Sequence, residues 1–271
     1  MKLQRRRFLS LAAGTTATLP FLSAGLSPAH AATASTPSFL SGKSKMKLGT
    51  VTYNLAKDWD VETLIKNCEL AGFEGAELRT THAHKVEVNL SKAERETIKK
   101  RFADSKDYMV LAHDVGASGV KVRPNGFPKD VPKEKTLEQI GRSLRELGEF
   151  GEGYGVVIRL EVHGEGTSLL PHIRRILDVA NHKNVGITWN SNQTDLAGEG
   201  FEHNFDLVKD KIFCVHMRDL FLEEYPFRKL LTRLNQIGFA GYCLAEIPDS
   251  KDPVRVMKYF RALWLSYQGL L

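Results

Sequence analysis

Seven short β-rich runs, most ending in polar residues at alternate positions, constrain this chain more than any other feature. The runs are Lys47–Asn54, Gly75–Arg79, Gly119–Asn125, Val156–Val162, Val185–Asn190, Ile212–Arg218 and Gly241–Ile247. Between them fall amphipathic stretches over Val61–Ala71, Ser91–Arg101 (opened by a Ser91/Glu94 capping box), Thr136–Phe150, Pro171–Ala180 and Pro226–Ile237, with Pro253–Trp264 last. Strands alternating with helices predict parallel βαβ units, because a parallel pair needs a crossover long enough to hold a helix. From Glu161 to Asn190, on to His216 and on to Glu246, the spacings are 29, 26 and 30 residues, each about one such unit. The fold expected is an α/β TIM barrel of the (β/α)8 type. The 46 residues from Glu77 to Arg123 are too many for one unit and few for two. Strand three is therefore expected to be short, hidden near Asp104–Leu111, or missing.

Barrel strands buried on both faces should be continuously apolar. Here alternate positions near the strand ends carry Glu77 and Arg79, then Lys121, Arg123 and Asn125, then Arg159, Glu161 and His163. The last three strands supply Asn190 with Asn192, His216 with Arg218, and Glu246. Period two turns this set to the lumen and its apolar neighbours against the helices. Charges converging there are costly unless they bind something or neutralise one another. Active sites of such barrels lie at the strand C-termini. Two readings stay open: a ligand site, or an internal network in which Arg123 and Arg159 neutralise Glu77 and Glu161.

Glu161, His216 and Glu246 form the sharpest constellation. Two carboxylates and an imidazole from three strands suit a divalent ion such as Mn²⁺, Mg²⁺ or Zn²⁺, with the amide oxygen of Asn190 as a weaker fourth ligand. Glu77, Arg79, Arg123, His163, Asn192 and Arg218 are candidate substrate contacts, the arginines and Lys121 suiting a carboxylate, keto oxygen or phosphate. His82 and His84 line the mouth or a solvated loop.

Residues 1–31 read as an export signal: Lys2, Arg5, Arg6 and Arg7, a weakly apolar Phe8–Ala24, and a small-x-small site at Ala29-His30-Ala31. Arg5-Arg6-Arg7-Phe8-Leu9 fits the twin-arginine pattern, an ordinary signal with a basic start being the alternative. Residues 32–45 read as a flexible linker and 46–271 as the barrel. Cleavage removes four of 38 basic residues and none of 32 acidic ones, taking the net charge from +6 to +2. So small a surplus argues against a nucleic-acid partner. The lack of about 20 consecutive apolar residues argues against stable membrane insertion. The expected destination is the periplasm or the exterior, with the twin-arginine translocase as transient partner; a homo-oligomer is compatible. Cys68, Cys214 and Cys243 form no C-x-x-C, and alternation turns the last two to opposite faces, so they read as buried small hydrophobes.

From about Lys47 to Tyr267 the chain resembles the xylose-isomerase-like TIM-barrel superfamily, the sugar phosphate isomerase/epimerase group. The matching segments include Gly75-Ala76-Glu77-Leu78-Arg79, Leu160-Glu161-Val162-His163, Val185-Gly186-Ile187-Thr188-Trp189-Asn190, Val215-His216-Met217-Arg218-Asp219 and Leu244-Ala245-Glu246. In ketose epimerases of this group a Glu, an Asp, a His and a Glu hold one metal, and the two Glu exchange substrate protons. The resemblance implies those metal roles for Glu161, Asn190, His216 and Glu246, and the catalytic roles for Glu161 and Glu246. Asn190 departs from the family's aspartate, which lowers the expected affinity. Gln193 stands where the epimerases carry a histidine. The function implied is an exported, metal-dependent sugar isomerase or epimerase, or a keto-glycoside lyase, acting by α-proton abstraction on a small sugar or keto-sugar. The alternative is a periplasmic sugar-binding pseudoenzyme with a degraded metal site. A nuclease of the endonuclease IV type needs more His and Asp ligands than this chain offers.

Overall fold

The computed structural model describes residues 43–87, 91, 93, 94, 97 and 116–270. The proposed signal, nearly all of the linker, most of Ser91–Arg101 and the Asp104–Leu111 stretch lie outside the described residues. Seven strands carry the fold: β1 (Lys47–Val51), β2 (Gly75–Glu77), β3 (Gly119–Val122), β4 (Val157–Glu161), β5 (Val185–Trp189), β6 (Ile212–Met217) and β7 (Tyr242–Ala245). Their order in space is β2-β1-β7-β6-β5-β4-β3, and every neighbouring pair is parallel. The first strand thus lies against the last in a parallel α/β fold of the TIM type, and among the described residues the sheet ends at β2 and β3.

Six helices are described: α1 (Val61–Ala71), α2 (Lys133–Glu152), α3 (Leu170–Ala180), α4 (Gly200–Val208), α5 (Phe227–Gln236) and α6 (Pro253–Tyr267). Local chemistry sets several ends. Asp60 caps α1 by accepting from the Thr63 amide at 2.8 Å, and Gly72 closes it in the left-handed region at φ 69°. Asp252 caps α6, with Pro253 at the first position. Helix α2 begins three residues before the expected Thr136, because Lys133-Glu134-Lys135 carry no apolar signal. Helix α4 is absent from the sequence reading. It is nine residues long and enters through Gly198 and Gly200, both at positive φ, so its Phe201/Phe205/Val208 stripe is too short to stand out. Among the described residues no helix is long and apolar enough to cross a membrane.

The strands split their side chains as period two demands. Ile158, Leu160, Ile187, Trp189, Val215, Met217, Cys243 and Ala245 join the helices in one large core, where Trp189 meets Phe201 and Phe205. Each large apolar side chain so buried stabilises the fold by about 1.5–3 kcal/mol. Inside the barrel, Val51, Cys214 and Leu244 form a separate small cluster with Tyr242 against it. All three cysteines are free and buried.

Gly49 makes that inner plug possible. A Cβ on it would stand 2.5 Å from the Gly75 carbonyl oxygen and 2.7 Å from Leu244 Cδ2. The Gly49→Ala substitution is therefore expected to force β1 from β2, costing at least about 1–3 kcal/mol. Urea unfolding followed by far-UV circular dichroism measures it, and an unchanged midpoint would contradict this packing.

Candidate active site

The strand ends deliver their polar residues where the ladders stop. Glu77 ends β2 and Glu161 ends β4, while His216 is next to last in β6 and Glu246 follows β7. His216 is 1 % exposed and lies among three carboxylates. Its Nε2 is 3.2 Å from Glu77 Oε2, and its Nδ1 faces Glu161 Oε1 at 3.6 Å and Glu246 Oε2 at 3.7 Å. Lys121, from β3, reaches up to Glu161 Oε2 at 2.9 Å and Glu77 Oε1 at 3.3 Å. Glu77 and Lys121 belong to the two end strands of the sheet order, so this ion pair spans the barrel between them.

The electrostatics follow from burial and proximity. Burial works against the His216 imidazolium, but Glu77, Glu161 and Glu246 outweigh it and raise the group to about 9. Burial likewise opposes ionisation of Glu161, yet His216 and Lys121 hold it at about 2. Glu77 is also lowered, for the same balance of reasons. Glu246 is raised: burial dominates, and the attraction of His216 does not offset it. Lys121 is raised because Glu77 and Glu161 outweigh its own desolvation.

An internal neutralisation, the second of the two readings left open by the sequence, exists, but the cation is Lys121, not Arg123 or Arg159. Arg159 stands level with Lys121 in the β3–β4 register and instead donates to Ser118 Oγ at 2.9 Å. Arg123, two residues past Lys121, is exposed. The signal for Lys121 was its place in the same alternating set, one residue pair deeper than Arg123, where a long flexible side chain rises to the strand ends.

Other predicted site residues are placed as follows. Asn190 follows β5, and its Oδ1 is buried with no hydrogen-bond partner. His163 is half-buried, and its Nδ1 is likewise unpartnered. Arg79 is exposed and stacks its guanidinium over Tyr53 at 4.6 Å. Arg218 is half-buried, 3.7 Å from Glu224. Asn192 is committed to the framework: its side-chain amide donates to the Val162 carbonyl at 2.6 Å. Of the mouth histidines, His84 is fixed, since Nδ1 accepts from the Val86 amide while Nε2 meets the Arg79 carbonyl. His82 bonds Thr52 Oγ1 at 3.0 Å.

The loop after β5 rests on groups the sequence did not single out. Ser191 sits at φ 46° and donates Oγ to the His216 carbonyl at 2.7 Å, tying Asn190 to β6. Below it, Trp189 Nε1 donates to Tyr225 Oη at 2.8 Å, and Tyr225 donates to Asp195 Oδ2 at 2.6 Å. That oxygen also accepts from the Asn192 amide at 2.9 Å.

The fold is that of an α/β-barrel protein, and the strand-end polar cluster places its candidate site at the C-terminal face of the sheet. The chain belongs to the xylose isomerase-like TIM barrel family, which matches residues 51–263. Several solved structures share the fold. The IolI protein with a bound zinc atom is 18% identical, with a TM-score of 0.65 over 82% of this chain and 99% of that one. A 3-keto-D-glucoside 4-epimerase from E. coli is 16% identical (TM-score 0.67, 82% and 99%). A D-psicose 3-epimerase from Clostridium cellulolyticum H10, solved with D-tagatose, is 13% identical (TM-score 0.67, 83% and 99%). No match to a curated protein sequence was found.

Burial raises Asp195 from 3.8 to about 7, outweighing its hydrogen bonds from Tyr225 and Asn192. The folded state then holds a proton that the unfolded chain releases near its ordinary value. The stabilising contribution of that proton is full below about pH 4 and lost as pH rises through about 7. Asp195→Asn is expected to flatten this part of the stability profile between pH 4 and 7. Thermal melts across that range check it; identical slopes in both proteins would contradict it.

Proposed function

We propose that the chain is a divalent-metal-dependent sugar isomerase or epimerase that moves a proton at the carbon next to a carbonyl. One observation carries the reading. Glu77 takes the Nε2 side of His216, and Nδ1 is left facing Glu161 and Glu246. Metal-binding histidines are typically held in this way, by a carboxylate on the far ring nitrogen. Separations of 3.6–3.7 Å are too long for hydrogen bonds and close to those between ligand atoms sharing one ion. The orphaned Asn190 Oδ1 supplies a further buried acceptor. The residues present therefore fit a divalent ion, with Glu161, Asn190, His216 and Glu246 as its holders and Glu77 orienting the histidine.

When bound, such an ion supplies Lewis-acid polarisation of a sugar carbonyl and its neighbouring hydroxyl. The protein's own groups supply the proton chemistry. Glu246 keeps a raised carboxyl and suits the taking and returning of a proton. Glu161 is held ionised, so its service as a second proton carrier requires that Lys121 or His216 relax their hold on it. Return of the proton to the opposite face gives epimerisation, and to the adjacent carbon gives isomerisation; expulsion of a β-substituent would give a lyase. Arg79, Arg123, His163 and Arg218 stand at or beyond the strand ends, where a sugar would meet them.

The zinc in the IolI structure and the epimerase identity of the E. coli and Clostridium cellulolyticum proteins support this reading. With metal supplied, the protein is expected to exchange the α-hydrogen of a keto-sugar with solvent deuterium. Glu246→Gln and Glu161→Gln should each lower that exchange by at least about 100-fold. Proton NMR of a keto-sugar panel in D₂O reads it, and absence of exchange with bound metal would sink the enzyme reading. Lys121 on Glu161, together with Asn190, favours a second reading, a sugar-binding protein without turnover; sugar binding that persists in Glu161→Gln with no exchange in either protein would support it.

The same proposal includes twin-arginine export and action outside the cytoplasm, on the basis of Arg5-Arg6-Arg7-Phe8-Leu9. Replacing Arg5 and Arg6 with lysine is expected to retain the protein in the cytoplasm. Fractionation with an antibody checks this, and undiminished export would contradict it.

A further inference from the structure

Two carboxylates in the cluster divide their oxygens in the same manner. Glu161 turns Oε1 toward His216 Nδ1 and Oε2 toward the Lys121 ammonium, 2.9 Å away. Glu77 gives Oε2 to His216 Nε2 and Oε1 to Lys121, 3.3 Å away. One flexible side chain thus touches both a carboxylate placed to hold an ion and the carboxylate that orients the histidine. The charge balance points the same way. Asn190 contributes no negative charge to the cluster, and Lys121 adds a positive one beside Glu161. Both weaken the field that would hold a divalent cation, since like charges a few ångströms apart repel strongly in a buried site. Lys121 is also free enough to move: its side chain is 25% exposed, against 4% for Glu161 and 1% for His216. An ammonium on a four-carbon stem can withdraw from one carboxylate without disturbing the strand that carries it.

We propose that Lys121 is a resident counter-ion that competes with a divalent ion for Glu161 while holding Glu77 against His216. It makes the bound ion weakly held and exchangeable, and it keeps the carboxylates from repelling one another when no ion balances them. Lys121 acts here as a positioning residue. The inference rests on the metal-centre reading above, and its test separates the two.

Purified wild-type protein, Lys121→Met and Lys121→Arg are titrated with Mn²⁺ and with Zn²⁺ by calorimetry, with no sugar present. Lys121→Met is expected to bind the ion about 10- to 100-fold more tightly, the range over which partners of metal ligands act. Lys121→Arg, which keeps the charge, should stay near wild type. Thermal melts give a second readout. Lys121→Met should melt lower without added metal and gain more than wild type when metal is supplied, because tighter binding stabilises more. Should Lys121→Met fail to fold, Lys121→Gln keeps a polar end in the cluster and replaces it in both measurements. Binding by Lys121→Met alone, with wild type silent, supports the inference in its strongest form. Equal or weaker binding by Lys121→Met, with wild type binding normally, overturns the role of Lys121 and leaves the metal centre standing. Binding by none of the proteins overturns both.

Discussion

The position of one imidazole governs the centre of this barrel. His216 is enclosed by carboxylates from three other parts of the sheet, and none of those groups would be stable there alone. The cost of burying each charge is offset by its neighbours, so Glu77, Glu161, Lys121 and His216 form a unit rather than a set of separate pairs. Because Glu77 and Lys121 come from the two end strands of the sheet order, the same unit also joins the barrel across the interval between β2 and β3. The candidate site and the join between the two end strands are carried by the same atoms. Loss of one member would leave others buried and unpaired, which costs more than the surviving contacts return.

Much of this architecture was legible in the residues. The βαβ alternation, the length of the units between Glu161 and Glu246, and the turn of polar strand-end residues toward the lumen all have direct counterparts in the fold. They were readable because period two and buried parallel strands leave strong marks on a sequence. Helix α4 was not readable, since nine residues opened by glycines give a weak apolar stripe. The assignment of the neutralising cation to arginines failed for a different reason. Which of several basic side chains reaches a carboxylate depends on depth along a strand and on competing partners such as Ser118, and neither shows in a list of residue types. Glu77 as orienter of His216 was hidden likewise, because β2 and β6 are not neighbours in the sheet and no spacing rule connects them.

The support beneath the loop after β5 was equally invisible. Trp189, Tyr225, Asp195 and Asn192 lie on different segments and form one hydrogen-bonded chain behind Asn190. Ser191 accepts a left-handed backbone in exchange for a bond to the His216 carbonyl. Together they fix where the amide of Asn190 stands. The loop backbone is thus braced from both sides, while the Oδ1 of Asn190 stays buried without a hydrogen-bond partner of its own.

The three cysteines carry a consequence for the conditions in which the protein can work. Burial pushes the thiols of Cys68 and Cys214 up to about 12 and that of Cys243 higher still. Thiol–disulfide exchange proceeds through the thiolate and needs access to a partner sulfur, and these residues offer neither. The folded chain is thereby insulated from the glutathione poise of whatever compartment holds it. Once folded, the chain is expected to keep these three thiols unchanged on passing from reducing to oxidising surroundings.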